Sequence, residues 1–180
     1  MELYIKNEDF KRLENLHKEI PRIADILMKE ALKKVINYVK NKNKDKIKDL
    51  YTADEEIIKG DRNIRTKANA FEAIMEANTK KNKLDNFKLS VQKPRKTKNH
   101  IFTEIQRGKN SKWKTLFWGY YKQGNPRLII RNGRERYKIT TVRTLSTKSM
   151  AQRGLQQMEF DEIQEIFSDV IRKGLESYGY

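Results

Sequence analysis

Cysteine is absent from this 180-residue chain, which excludes disulfides and any zinc site built on thiolates. Histidine is nearly absent too. His17 falls on the apolar face of a predicted helix, as a core-edge or interfacial histidine does, and His100 opens a basic strand without ligand neighbours. Two isolated histidines and no cysteine leave no transition-metal site, so no bound metal is expected. No run of about 18 apolar residues occurs, so no membrane span is expected. The opening MELYIKNEDF is charged from its second residue and lacks the apolar core of a secretory signal. No glycine-rich loop follows a predicted strand, which leaves no phosphate-binding or dinucleotide fingerprint. Ser146 and Ser149 lack a nucleophile-elbow context. Asp9-Phe10-Lys11 matches half of a nuclease pattern but falls on a helix rather than a strand. No catalytic residue, cofactor or enzymatic turnover is expected.

Acidic residues are scarce where basic ones are dense. Residues 93–153 carry 17 Lys/Arg against 2 Asp/Glu. Residues 1–92 carry 21 against 16, and residues 154–180 carry 2 against 6, giving +16 overall. A basic middle third beside an acidic tail points to a polyanion, or an acidic protein surface, at the middle third; a solvated basic face is the alternative.

The apolar share is only 37%, but it is periodic, as in a folded chain. Leu3 and Ile5 alternate over Glu2–Lys6, a short strand, and Asn7 is placed to cap a helix carrying Phe10, Leu13, Leu16 and His17. Pro21 suits the first turn of a second helix. There Ile23, Ile26, Leu27, Ala31, Val35, Tyr38 and Val39 form a stripe to about Asn41, and a polar stretch follows over Asn41–Asp49. Thr52 and Glu55 stand at capping-box spacing before a short helix that Gly60 ends. Phe71–Ala77 fits a helix by propensity and a strand by context, and the strand is the preferred reading. Ile101–Gln106, Thr115–Tyr121, Leu128–Arg131 and Tyr137–Thr141 are strands, with Lys109–Ser111 and Gln123–Pro126 as turns and Asn132-Gly133 as a hairpin signal. A polar loop is expected over 142–156. A last helix over 157–178 carries Ile163, Ile166, Phe167, Val170, Ile171, Leu175 and Tyr178.

The order of elements predicts an α+β fold of one domain, 1–180, helical over 7–60 and mostly β over 62–141. Its N-terminal helices and C-terminal helix are expected on a mainly antiparallel sheet. The candidate contact residues are Lys93, Arg95, Lys96 and Lys98 on one segment and Arg131, Arg134 and Arg136 on the hairpin. Trp113, Trp118 and Tyr120, from the aromatic cluster with Phe117 and Tyr121, are candidate interface aromatics, since aromatics beside Lys112, Lys114 and Lys122 suit base stacking or a protein interface.

Several segments together resemble the minor tail protein Z family of tailed phages and prophages. They are the Ile20-Pro21 step with the ADILMKEALKKVINYV helix, the tyrosine-led Tyr51–Lys59 segment, and Leu84-Asp85-Asn86-Phe87. A basic β-ribbon, Phe117-Trp118-Gly119, Ile129–Gly133, Tyr137-Lys138-Ile139 and Leu145–Gln152 follow. Family members tend to carry a Gly-Pro-Ser-Val-Pro-Gln-Met type segment at the last place; here that Gly and both Pro are missing. The resemblance implies a virion structural protein for tail completion, a tail-terminator-like part of a ring or collar at the neck. A homo-hexameric ring is implied, contacting tail tube or connector proteins and DNA in the lumen. Such a protein is made in the bacterial host cytoplasm and resides at the head-proximal end of the tail. The competing reading is a stand-alone basic nucleic-acid-binding protein.

Overall fold

A computed structural model of the chain describes residues 8–59, 63–90, 101–113, 115–120, 126–131 and 139–179. The sequence expectations at Glu2–Lys6, Asn7, Gly60, the Gln123–Asn125 turn and Asn132-Gly133 lie outside the described residues, as do Lys93, Arg95, Lys96, Lys98, His100, Arg134 and Arg136. The class is α+β, with a long N-terminal helix, a C-terminal helix and antiparallel strand pairs between them. The chain folds into two compact units, each assembled from separate stretches. The first comprises residues 1–43, 65–76 and 157–180, and the second 44–64 and 77–156.

The first unit is built on three helices: α1 (Glu8–Glu19), the first part of α2 (Pro21–Leu50) and α5 (Asp161–Ser177). Pro21 opens α2 as expected, where a missing N–H costs nothing. Leu13 and Leu16 of α1 are buried, as are Ala24, Leu27, Ala31, Val35 and Ile36 of α2 and Ile163, Phe167, Val170, Ile171 and Leu175 of α5. Ile26, expected in the α2 stripe, is instead 42% exposed. The phase of the helix favours Ala24, Leu27 and Ala31, at spacings of three and four. Helices α2 and α5 run antiparallel. A methyl group on Gly174 would collide with a Leu27 Cδ, while Tyr38 and Lys42 both reach Glu162. Eleven residues along α2 thus match twelve back along α5, the same rise within one residue. Glycine at 174 is what allows this approach. The hairpin of β1 (Ile64–Ala68) and β2 (Ala73–Ala77), with Arg65–Glu76 in this unit, turns at Asn69, whose Oδ1 accepts the N–H groups of Phe71 and Glu72.

Helix α2 does not stop near Asn41. It runs 30 residues to Leu50, about 45 Å. Asn43 and Ile47, four apart and both fully buried, carry the inward face through a stretch that is otherwise charged. Within the second unit one residue satisfies two of its C-terminal carbonyls: the Arg107 N–H donates to Leu50 O at 3.0 Å and its Nε to Lys48 O at 2.7 Å. The guanidinium also opposes the negative end of the helix.

The second unit also holds the short α3 (Glu55–Lys59), three small sheets and α4 (Thr147–Leu155). Thr52 does not cap α3. Its hydroxyl donates to Glu104 O and accepts the Lys88 N–H, which ties the segment to strands instead. One sheet has the order β4 (Lys88–Leu89), β5 (Ile101–Glu104), β6 (Asn110–Trp113). A second has β7 (Leu116–Tyr120), β8 (Pro126–Arg131), β9 (Ile139–Thr141). The third pairs β3 (Lys81–Lys83) with β10 (Arg143–Ser146). Leu89 and Ile101 of the first sheet and Leu116 and Leu128 of the second meet around Leu84, which sits on a 3-10 turn, Leu84–Asn86.

The expected loop over 142–156 is a strand followed by a helix. Ser146 caps α4 by accepting the Ser149 N–H at 3.2 Å. Thr147, Met150, Ala151 and Gly154 then turn one buried face inward at helical spacing. The turn expected at Lys109–Ser111 lies earlier, at Gln106–Lys109, where Gly108 takes φ +76° and Asn110 and Ser111 already pair with β5.

Candidate nucleic-acid interface

The division into units separates the charge. The first unit contains 14 Lys/Arg and 15 Asp/Glu, and the second 26 and 9. The excess positive charge therefore belongs to the β-rich unit. Within it, residues 88–114 carry nine Lys/Arg and one acid, Glu104.

Strand register sorts the side chains of the β4–β5–β6 sheet into two faces. Leu89 opposite Thr103 and Ile101 opposite Trp113 form the inner face. The outer face is a grid of two rows. One row is Lys88, Glu104 and Asn110; the other holds Phe102 opposite Lys112, with Ser90 beside it. Ser90 and Phe102 exchange two bonds: the Ser90 N–H donates to Phe102 O, and the Phe102 N–H donates to the Ser90 hydroxyl, both at 2.9 Å. Phe102 is 44% exposed, and the Lys112 ammonium stands 6.0 Å from its ring centre. Lys109 and Arg107 are exposed at the β5–β6 turn.

The lone acid of this region is engaged from two sides. Lys88 pairs with Glu104 at 2.8 Å, and the Gly108 N–H donates to it at 2.8 Å. The lysine hydrogen bond first, then the Gly108 N–H, hold its carboxyl below the usual glutamate range, against a smaller opposing effect of burial. Folding thus favours the ionised form. The resulting stabilisation is present at neutral pH, above the range where a free glutamate titrates, and is lost as pH falls through the lowered value. Glu104→Gln is expected to reduce stability at pH 7 and to make no difference once acid has protonated Glu104 in both states. Urea midpoints of the two proteins along a pH series check this.

Of the candidate aromatics, Trp113 turns inward and its indole N–H donates to the buried Thr103 hydroxyl at 2.8 Å. Trp118 is half-buried and packs on the cluster around Leu84. Tyr120 ends β7 and Arg131 ends β8; only their backbone is described. Among the described side chains of the β4–β5–β6 sheet Phe102 is the aromatic turned outward, and sequence reasoning passed over it. The signal was the alternation Ile101, Phe102, Thr103, Glu104, whose second and fourth positions are outer.

Comparison with family models found no match, and comparisons with curated proteins and with solved structures found none.

The first unit carries a different surface. A cavity of about 170 Å³ is lined by Leu13, Ala24, Met28 and Ala70, with His17 Nδ1 and Asp25 Oδ1 3.7 Å apart on its wall. Phe71 at the hairpin tip is 83% exposed beside it. His17 is exposed at the edge of this cavity. On α5, Asp161, Glu162, Glu165 and Glu176 are exposed opposite the buried stripe. Among the described residues no three His, Asp or Glu side chains are grouped to hold a metal, and no helix is long and apolar enough to cross a membrane.

Proposed function

We propose that the chain is a structural protein that works by assembly, at the head-proximal end of a phage tail or tail-like particle. It acts there in tail completion and head–tail joining, as part of a ring or collar. The observation that carries this reading is the division of charge between the units. A unit with 14 basic and 15 acidic residues suits packing against protein. A unit with 26 and 9 repels its own copies and needs a negative partner. The exposed acids of α5 supply part of it when they face the basic unit of the next copy, a head-to-tail contact that closes into a ring. DNA in the lumen, or an acidic tail-tube or connector protein, neutralises the remainder; phosphate contacts need no sequence reading. The six-fold ring number follows from the family resemblance and the symmetry usual for tail rings. In this reading the protein is made in the bacterial cytoplasm and ends in the virion tail.

The test is charge reversal of Lys93, Arg95, Lys96 and Lys98 to Glu in the particle-producing cell. Circular dichroism of the purified variant should match the wild type, while tails fail to join heads. Screening at 0.15 M salt reaches about 8 Å, so assembly of the wild-type ring should depend on salt. Tails of normal length that join heads normally would show the segment to be a solvated surface and remove the reading.

A further inference from the structure

The outer face of the β4–β5–β6 sheet combines features that a solvated strand face does not need. It spends its central position on phenylalanine. It places a lysine directly opposite that ring. It neutralises its one carboxylate from within, through Lys88 and the Gly108 N–H. What remains outward is an aromatic plane, a lysine ammonium, two small polar groups, Ser90 and Asn110, and the cations of the adjoining turn.

We infer that this face binds single-stranded nucleic acid, with a base stacked on Phe102 and the backbone held by Lys112 and Lys109. The inference does not rest on the tail reading, in which duplex DNA offers phosphates alone. Size and chemistry both favour a single strand. Strands lie about 4.8 Å apart and alternate residues about 7 Å along, so the grid covers about 10 Å by 7 Å, the footprint of one nucleotide with its phosphates. A duplex keeps its bases stacked on each other and would leave the Phe102 ring unused. An unpaired base has a free face, and stacking on an aromatic tolerates any sequence. An acidic peptide would match the lysines but not the ring. The lysine beside the ring favours an anionic ligand that also has a flat face, a combination nucleotides possess. Rigidity helps: the Phe102 N–H is fixed to the Ser90 hydroxyl, and its neighbours Ile101 and Thr103 are buried, so little ordering is needed on binding.

The experiment is fluorescence anisotropy of the full-length protein with a labelled oligothymidylate, its duplex with oligoadenylate, and polyglutamate as competitor. Single-strand affinity in the range of 10⁻⁴–10⁻⁶ M is expected at physiological salt, tighter than for the duplex, with polyglutamate a poor competitor. Phe102→Ala should weaken single-strand binding about tenfold and leave duplex binding unchanged. Phe102→Tyr should restore it. Lys112→Gln should lower the slope of log affinity against log salt by about 0.7, one phosphate's share for a single strand. Phe102 is exposed, so these variants fold, which circular dichroism checks. Equal affinity for single strand and duplex with no effect of Phe102→Ala would overturn the inference, as would efficient competition by polyglutamate or no binding of the single strand. None of these results bears on whether tails join heads, so this inference and the tail reading fail separately.

Discussion

Phe167→Ala is expected to destabilise the helical unit by about 3–5 kcal/mol, a large part of the 5–15 kcal/mol typical of a whole domain. Phe167 is 1% exposed at the middle of α5, with Ile163, Val170, Ile171 and Leu175 on the same buried face. Its removal forfeits the transfer of a large apolar side chain and leaves a cavity that cannot readily close. The close approach of α2 at Gly174 fixes one end of α5, and the contacts of Tyr38 and Lys42 with Glu162 hold the other. Those polar contacts are exposed and contribute under about 1 kcal/mol each, so they orient the helix rather than hold it. Hydrogen exchange of the α5 amides, which lie in this unit, is the suitable measurement, because two units need not unfold together. Protection should fall by two to four orders of magnitude, about one per 1.4 kcal/mol. Ile26→Ala is the internal control. Ile26 is 42% exposed, and its loss should stay within about 0.5 kcal/mol. Equal effects at the two positions would mean that the stripe on α5 is not a core.

The α+β class, the helical start at Pro21, the α5 stripe and the strands β5, β7 and β8 were legible because each rests on local periodicity, whereas β6 fell where a turn was expected and β10 where a loop was. What escaped was set by partners remote in sequence. The lysine-rich end of α2 has poor amphipathicity by composition, yet Asn43 and Ile47 are buried and Arg107, 57 residues beyond Leu50, caps its carbonyls. Helix α4 did have a local signal, Ser146 before Met150, Ala151 and Gly154, but a Ser/Thr-rich stretch also reads as a loop. The two units are invisible along the chain because each is stitched from separate stretches, and α2 passes from one to the other. The charge split is largely that of the basic stretch 93–153, which lies wholly within the second unit; the fold adds that α1, the first part of α2 and α5 gather into a nearly balanced first unit. For the candidate site, the basic region was legible from counting. The stacking aromatic was not. Trp113 and Trp118 draw attention by size, but register turns Trp113 toward Thr103 and packs Trp118 on the core. It leaves the smaller Phe102 outside.

Leu84→Ala should unseat the β-rich unit, at a cost of about 2–5 kcal/mol. Leu84 is fully buried in one cluster with Leu89 and Ile101 of one sheet and Leu116 and Leu128 of another. Its backbone cannot move in to fill the space. The Leu84 N–H donates to Val142 O at 3.1 Å, and its carbonyl accepts the Phe87 N–H at 3.2 Å. Nor can the sheets close easily, since β5 is paired on both edges and β8 likewise. A site pinned in this way retains most of its cavity, which places the cost in the upper half of the range. Leu84→Met, nearly equal in volume, should cost under about 1.5 kcal/mol. The readout is built into the protein. Both tryptophans of the chain, Trp113 and Trp118, pack against this cluster, so their emission follows this unit and not the helical one. In urea, Leu84→Ala should bring the fluorescence transition to lower denaturant, with a red-shifted spectrum before it, while the protection of α5 amides at zero denaturant gives the separate response of the first unit. A fluorescence midpoint unchanged from the wild type would mean that Leu84 is not the residue on which the two sheets close.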